Sequence, residues 1–346
     1  IRSFYMNRGY LDFDIKNTTV SISETKKNVY IAIIIDEGDK YNFGEIKISG
    51  KYYPLTEESI FQNDIKTIKG EVFSRELLNQ STESINQELG NYGYAFSNVN
   101  PIPDVDKENL IVGFNYFIEP GKKVYVRRIS FVGNEKTKDK VLRREMRQFE
   151  ASYYDKEKID QSTRRLKRTQ YFEGVDIKTV SVPGISDQVD LTVAVKEKNT
   201  GSVKLGAGAS SDEGLVGSFS VTQANFLGTG NTLSATINTS SVNTIYSISH
   251  IDPYYTLDGI SRRITAYTKE TNTKDLDTGQ YDKKSLGLGV GFGIPMNEYD
   301  TVNIGFDVDM SEIKLVSSSP TRYKDYCRDV SGGDDSGCDQ NEAVLS

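Results

Sequence analysis

"KKSLGLGVGFG" at residues 283–293 and "TVNIGFDVDM" at 301–310 decide how the second half of this 346-residue chain is read. Successive side chains of an extended strand point to opposite faces. Leu286, Leu288, Val290 and Phe292 therefore share one face, and Ser285, Gly287, Gly289, Gly291 and Gly293 share the other. Val302, Ile304, Phe306, Val308 and Met310 alternate in the same way with Thr301, Asn303, Gly305, Asp307 and Asp309. Each strand has one oily face and one that is wet or nearly bare.

Five more segments of this kind lie near 202–210, 216–226, 231–240, 244–252 and 261–270, giving seven candidate strands separated by Gly, Asn, Asp and Ser. No convincing helix interrupts them. Periodicity alone fits either a β-sandwich or a barrel with lipid against its apolar face. The length of the strands, the small residues on the second face and the absence of tryptophan favour the barrel, whose strands need about 9–11 residues to cross. The longest apolar run, "VYIAIII" at 29–35, is far shorter than the ~18–20 residues of a spanning helix. Any membrane crossing is thus expected to use strands.

Composition shifts near residue 200. Residues 1–200 hold 31 Lys+Arg and 30 Asp+Glu, whereas 201–346 hold 11 and 19 together with 17 of the 29 glycines. The first half reads as α+β, and it repeats. "IAIIIDEGDKYNFGEIKISG" at 31–50 aligns with "FNYFIEPGKKVYVRRISFVG" at 114–133, pairing Gly38 with Gly121 and Gly50 with Gly133 at an offset of 83. Upstream, "NRGYLDFDI" at 7–15 matches "NYGYAFSNV" at 91–99, and "RTQYFEGVDI" at 168–177 is a weaker third copy. The predicted unit is strand, helix, helix, strand, strand: two helices on one face of a three-stranded sheet that leaves an edge open to another extended chain. A passive spacer is the plainer reading of such repeats. Between 122 and 168 there are 16 Lys+Arg against 7 Asp+Glu. This excess suits an acidic protein, anionic headgroups or nucleic acid, or is simply a solvated helix face.

Catalysis is not expected. His250 is the sole histidine and has no second ligand near it in sequence, so neither a metal site nor a histidine-dependent nucleophile is predicted. "GLGVGFG" lacks the Lys-Ser/Thr and the following helix of a phosphate loop. Cys327 and Cys338 enclose "RDVSGGDDSG", read as a flexible acidic loop. Two isolated cysteines suit a disulfide in an oxidising compartment better than zinc. Asp329, Asp334, Asp335 and Asp339 lack the spacing of a calcium loop.

Four stretches taken together and in order, "FVGNEKTKDKVLRREMRQFE" (131–150), "VTQANFLGTGNTL" (221–233), "DPYYTLDG" (252–259) and "GIPMNEYDT" (293–301), resemble the BamA-like family of outer-membrane β-barrel assembly factors. The resemblance spans nearly the whole chain. It implies periplasmic POTRA repeats of β-α-α-β-β order leading into an antiparallel transmembrane β-barrel in the bacterial outer membrane. The tail of one repeat would occupy 1–38, a complete one 39–120, the last one 121–199, and the beginning of a barrel 200–346. Such barrels close with roughly sixteen strands. About seven are counted here, so the sequence is expected to be a piece of a longer protein. The resemblance further implies helical lipoprotein partners docked at Arg143 and Glu150, unfolded outer-membrane protein clients and outer-membrane lipid, with no nucleic acid and no cofactor. It also implies that the first barrel strand, with Gly201, Val203, Lys204, Leu205, Gly206, Ala207 and Gly208, opens to template a client strand. A secretion channel that passes its substrate through the lumen is the rival function.

Overall fold

The computed structural model describes every residue except 24, 212, 274–279, 330, 331 and 346. It divides into two compact units, one of residues 1–132, 145–166 and 175–194, the other of 133–144, 167–174 and 195–346.

The chain begins with a short helix, α1 (Arg2–Met6), and an antiparallel pair, β1 (Asp14–Ile22) with β2 (Val29–Asp36). Then comes β3 (Asn42–Gly50), α2 (Glu57–Asn63), α3 (Arg75–Asn91), β4 (Asn98–Asp106) and β5 (Ile111–Glu119), in the sheet order β3-β5-β4. Each helix start follows from its capping chemistry. The Thr56 side chain accepts the Ser59 N–H and the Ser59 hydroxyl accepts the Thr56 N–H, a reciprocal box. Ser74 caps α3 through the Leu77 N–H. Leu78, Ile85 and Leu89 then recur on one face of α3 and pack with Tyr41, Phe43, Ile60, Tyr116 and Ile118 in a closed core.

The same order follows as β6 (Tyr125–Val132), α4 (Asp139–Arg143), α5 (Lys156–Arg168), β7 (Phe172–Ser181) and β8 (Gln188–Glu197), in the sheet order β6-β8-β7. In β8, Val189, Leu191, Val193 and Val195 are buried and alternate with half-exposed neighbours, as a half-covered sheet requires. The repeated glycines now have a cause. Gly50 and Gly133 lie at φ +96° and +85°, and a Cβ on them would stand 2.2 Å and 2.1 Å from the carbonyl oxygens of Ile118 and Val195. Each marks the point where the first strand of its unit leaves the third strand too closely for any side chain.

The remainder is one antiparallel sheet: β9 (Gly201–Ser210), β10 (Gly214–Phe226), β11 (Asn231–Thr239), β12 (Asn243–Asp252), β13 (Ser261–Asn272), β14 (Tyr281–Pro295), β15 (Thr301–Leu315) and, after helix α6 (Thr321–Asp329), β16 (Gly337–Leu345). Its order is β16-β15-β14-β13-β12-β11-β10-β9, and the sheet is not closed. Two expectations are corrected here. There are eight strands rather than seven, because β16 forms from residues read as loop. The segment between the cysteines is also not simply a flexible loop: Cys327 sits in α6 and Cys338 in β16, and the two form a disulfide. The helix has little local signal because Leu315, Ile313 and Tyr281, which anchor it beside the cysteines, are distant in sequence.

Register carries the apolar face across the sheet. Leu205, Phe219, Ile237, Tyr246, Thr268, Leu286 and Met310 are successive cross-strand partners, as are Val203, Val221, Ala235, Ile248, Ala266, Leu288 and Val308. The opposite face is polar, and its glycines leave space. A Cβ on Gly287 would stand 2.1 Å from the Tyr267 ring. That ring crosses β14 and donates its hydroxyl to Asp309 Oδ2 at 2.8 Å. The bare face of "GLGVGFG" is thus room for a side chain that ties β13 to β15.

Candidate functional site: the first sheet strand and its root

Strand β9 is an outer strand and, among the described residues, pairs with β10 alone. All ten of its residues are exposed. Its root is built by Thr200 and Gln223. The Thr200 hydroxyl donates to the Ala224 carbonyl at 2.6 Å, and Gln223 Nε2 donates to Thr200 Oγ1 at 2.7 Å and to the same carbonyl at 2.9 Å.

The root also fixes which backbone groups face outward. The Ala224 N–H donates to the Thr200 carbonyl, whereas the Gly201 N–H turns to Asn199 Oδ1 at 3.0 Å. Antiparallel partners alternate between bonded and non-bonded pairs, and the β9–β10 register runs without a shift from Gly201↔Gln223 to Ser210↔Gly214. Ser202, Lys204, Gly206 and Gly208 therefore bond β10, and the backbone groups of Gly201, Val203, Leu205, Ala207 and Ala209 face the open edge. Side chains hold this strand weakly. Gly208 has nothing within 4 Å of where a Cβ would be, and Gly206 meets only the Ser218 hydroxyl.

Below the root, residues 133–138 are joined to the β10–β11 turn. Asn225 Nδ2 donates to Thr137 Oγ1 at 2.7 Å, Asn225 Oδ1 accepts the Gly230 N–H at 2.8 Å, the Lys138 N–H donates to the Gly228 carbonyl at 3.0 Å, and the Tyr171 hydroxyl donates to the Gly230 carbonyl at 3.0 Å. A Cβ on Gly228, at φ +70°, would lie 1.9 Å from the Lys136 carbonyl oxygen, so only glycine permits this approach. Glu197 completes the joint by accepting the Thr137 N–H at 2.7 Å and the Lys136 N–H at 3.0 Å. Burial pushes the Glu197 carboxyl up, but the Thr137 hydroxyl, these two N–H groups and the Lys136 ammonium outweigh it and hold the group below the usual glutamate range. Lys198, Asn199, Phe226 and Leu227 complete the wall of a cleft of about 570 Å³ at this root.

The other expected residues stand elsewhere. Arg143 ends α4 and is exposed, in the second compact unit; Glu150 is exposed, in the first. Glu150 has a structural task that sequence did not reveal: its Oε1 accepts the Ile129 N–H on the outer side of β6 at 2.8 Å. His250 Nε2 lies 3.2 Å from Asn231 Nδ2. Among the described residues, no three His, Cys, Asp or Glu side chains gather as a metal ion would require. Glu197, Thr137, Asn225, Gln223 and Tyr171 carry no sequence signal as site residues: Thr137 lies in "FVGNEKTKDKV", Asn225 and Gln223 in "VTQANFLGTGNTL" and Tyr171 in "RTQYFEGVDI", whereas no quoted stretch contains Glu197.

Successive β-α-α-β-β units running into an antiparallel sheet with one apolar face define a class, the barrel proteins that carry POTRA repeats. The POTRA pattern, described as a surface antigen variable number repeat, matches residues 1–38, 41–121 and 124–198, and the Omp85 superfamily domain matches 225–343. The chain belongs to this family, among its BamA-like members. It is 34% identical over 331 residues to the outer membrane protein assembly factor BamA of Neisseria meningitidis, covering 95% of this chain and 41% of that protein. The crystal structure of BamA from Haemophilus ducreyi lacking POTRA domains 1–3 is similar with a TM-score of 0.75 at 30% identity, over 88% of this chain and 58% of that one. BamA POTRA3–5 from Haemophilus influenzae gives a TM-score of 0.54 at 30% identity, over 57% and 77%. The chain thus spans about two fifths of the length of the Neisseria meningitidis protein.

Proposed function

We propose that this chain is part of an outer-membrane assembly factor that inserts β-barrel proteins by offering the edge of β9 to an incoming client strand. The observation that carries the reading is an apolar belt, continuous in register, that ends on a strand whose alternate backbone groups are unpaired. In hydrocarbon each unmet backbone group costs several kcal/mol. A client strand entering lipid lowers that cost by pairing with Val203, Leu205 and Ala207 and with the carbonyl of Gly201, whose N–H is held by Asn199, while Lys204, Gly206 and Gly208 hold β9 to β10. No catalytic group is needed; the driving force is hydrogen-bond completion and burial of the client's apolar face in lipid.

In this reading the POTRA repeats, 1–38, 39–120 and 121–199, stand in the periplasm, and 200–346 begins the barrel in the outer membrane. Clients are unfolded outer-membrane proteins. Arg143 and Glu150 contact helical lipoprotein subunits of the assembly complex. The test is site-specific photocrosslinking from the polar and apolar sides of β9, in the full-length protein, to a client stalled during insertion. Crosslinks from Val203, Leu205 and Ala207 are expected. Crosslinks only from lumen-side loops, with none from β9, would overturn the reading in favour of a secretion channel.

A further inference from the structure

The apolar face of the sheet carries charge at both of its ends, and the two ends differ. At one end the charges answer each other. Glu270 of β13 and Lys284 of β14 are cross-strand partners joined at 3.0 Å, and Glu312 of β15 stands opposite Lys284. At the other end, beside the turn of residues 253–260, Arg262 of β13 faces Asp252 of β12. Side chains of opposite charge that stand directly opposed on one face are within reach of each other. These two do not pair. Asp252 Oδ1 accepts the Tyr254 N–H at 3.1 Å. The Arg262 guanidinium lies over the Tyr255 ring, 4.1 Å from its centroid, and its Nε is buried with no hydrogen-bond partner. Among the described residues, no carboxylate forms an ion pair with it.

The surroundings are those of a lipid boundary. Arg262 is the cross-strand partner of Phe292, which in turn partners Ile304, so its side chain leaves the sheet on the apolar face. Tyr255 lies beside Phe292 with ring centroids 6.1 Å apart, and both residues are exposed. The apolar row of β14 runs on past Phe292 through Ile294 to Met296, which is 67% exposed. The guanidinium is therefore set within the margin of the belt, not beyond it. Glu270 and Arg262 stand eight residues apart on β13, a rise of about 27 Å at ~3.4 Å per residue, and the lipid-facing band of a barrel is ~25 Å tall. An arginine stem lies along apolar surface with its charge at the headgroup layer, where tyrosine is also enriched.

A ligand that satisfies both charges is itself a zwitterion. An ethanolamine phosphodiester carries an anionic phosphate and a primary ammonium joined by a short ethylene bridge. Its phosphate accepts from guanidinium N–H groups, and its ammonium can donate to Asp252 Oδ2, the oxygen that the Tyr254 N–H leaves open. A choline headgroup has no N–H to give, and a glycerol headgroup brings no cation to Asp252. We infer that Arg262, Asp252, Tyr255 and Phe292 form a site for the headgroup of a phospholipid bearing a primary ammonium, with an acyl chain along Phe292 and Ile304. The site rests on the placement of 200–346 in a bilayer and is independent of the pairing of β9 with a client.

The test uses the full-length protein, stripped of lipid in detergent and titrated in native mass spectrometry with dioleoyl phosphatidylethanolamine, phosphatidylcholine or phosphatidylglycerol. One phosphatidylethanolamine should be retained about tenfold more tightly than either of the others, the factor expected of one charge-assisted hydrogen bond. Asp252→Asn should abolish that preference, and Arg262→Gln should weaken retention of all three lipids. Arg263→Gln, one residue further on and on the opposite face, should bind as the parent does. Heat-modified gel mobility reports whether each variant is folded, and Asp252→Asn decides the outcome by itself if Arg262→Gln does not fold. Equal retention of the three lipids by the parent, an unchanged preference in Asp252→Asn, or displacement of the lipid by an equal concentration of inorganic phosphate would each overturn the assignment, the last by showing an anion site only. If the folded protein retains no lipid of any kind, the bilayer placement fails with the site, whereas retention without preference removes this site alone.

Discussion

Glu197 shows how a single side chain couples sequence-distant segments. Its carboxylate holds two consecutive N–H groups while the Thr137 hydroxyl, held by Asn225, faces it from the same loop. Because the folded pKa lies below the unfolded one, its contribution to stability is complete above ~4.3 and is lost as pH falls through the lower folded value. Glu197→Gln should therefore raise hydrogen exchange at residues 135–138 at pH 7 and leave the joint with less acid sensitivity than the parent below pH ~4. Equal acid dependence in both proteins would contradict this.

Glu150 needs a paired test, since one carboxylate both faces solvent and caps β6. Glu150→Gln keeps an acceptor for the Ile129 N–H, whereas Glu150→Lys loses both acceptor and sign. Losing the cap should cost about 1–2 kcal/mol of thermal stability. If Glu150 also contacts a lipoprotein, Glu150→Gln should weaken co-purification of that partner with little change in melting temperature. Unchanged co-purification with Glu150→Gln and loss only with the destabilised Glu150→Lys would assign the residue to the sheet alone.

At the scale of elements, the parity of β9 makes a sharp distinction between neighbouring positions. Proline at Ala207 removes an N–H that faces the open edge and leaves the β10 ladder intact. Proline at Lys204 removes a ladder bond and weakens the strand itself. Ala207→Pro should thus slow client insertion by about tenfold or more, the kinetic equivalent of roughly 1.4 kcal/mol, in a protein that still folds and inserts. Lys204→Pro should lower the folded yield of the protein itself. Serine at either position should be tolerated, because it keeps the donor. Measuring insertion rates in liposomes alongside heat-modified gel mobility separates the two outcomes.

Helix α6 and β16 offer a second test. The disulfide between Cys327 and Cys338 closes this segment over Tyr281, Ile313 and Leu315. Intact-mass analysis of envelope-purified protein should show no alkylation without reductant and two added alkyl groups after reduction. Free thiols in unreduced material would contradict the pairing.

For the whole molecule, the closed core formed by Tyr41, Phe43, Ile60, Ile85, Leu89, Tyr116 and Ile118 predicts that residues 39–120 fold on their own. That segment should unfold in one cooperative transition, monitored by circular dichroism in urea. A gradual, non-cooperative loss of signal would mean that its neighbours supply part of its stability.

Much of this architecture follows from local chemistry and is legible in one dimension. The period-two alternation of residues 283–310 sets the apolar and polar faces of the sheet, because side-chain direction depends on the backbone alone. The 83-residue offset exposes the repeated unit, because Gly50 and Gly133 meet the same steric demand in each copy. Register, in contrast, belonged to the tertiary structure. It determines that Tyr267 reaches Asp309 across Gly287, that odd-numbered groups of β9 face the open edge, and that Glu197 meets Thr137 sixty residues away. These contacts depend on how strands slide past one another and on which loops meet at their ends. The energies involved come from many cross-strand pairs together, and no single stretch of sequence contains them.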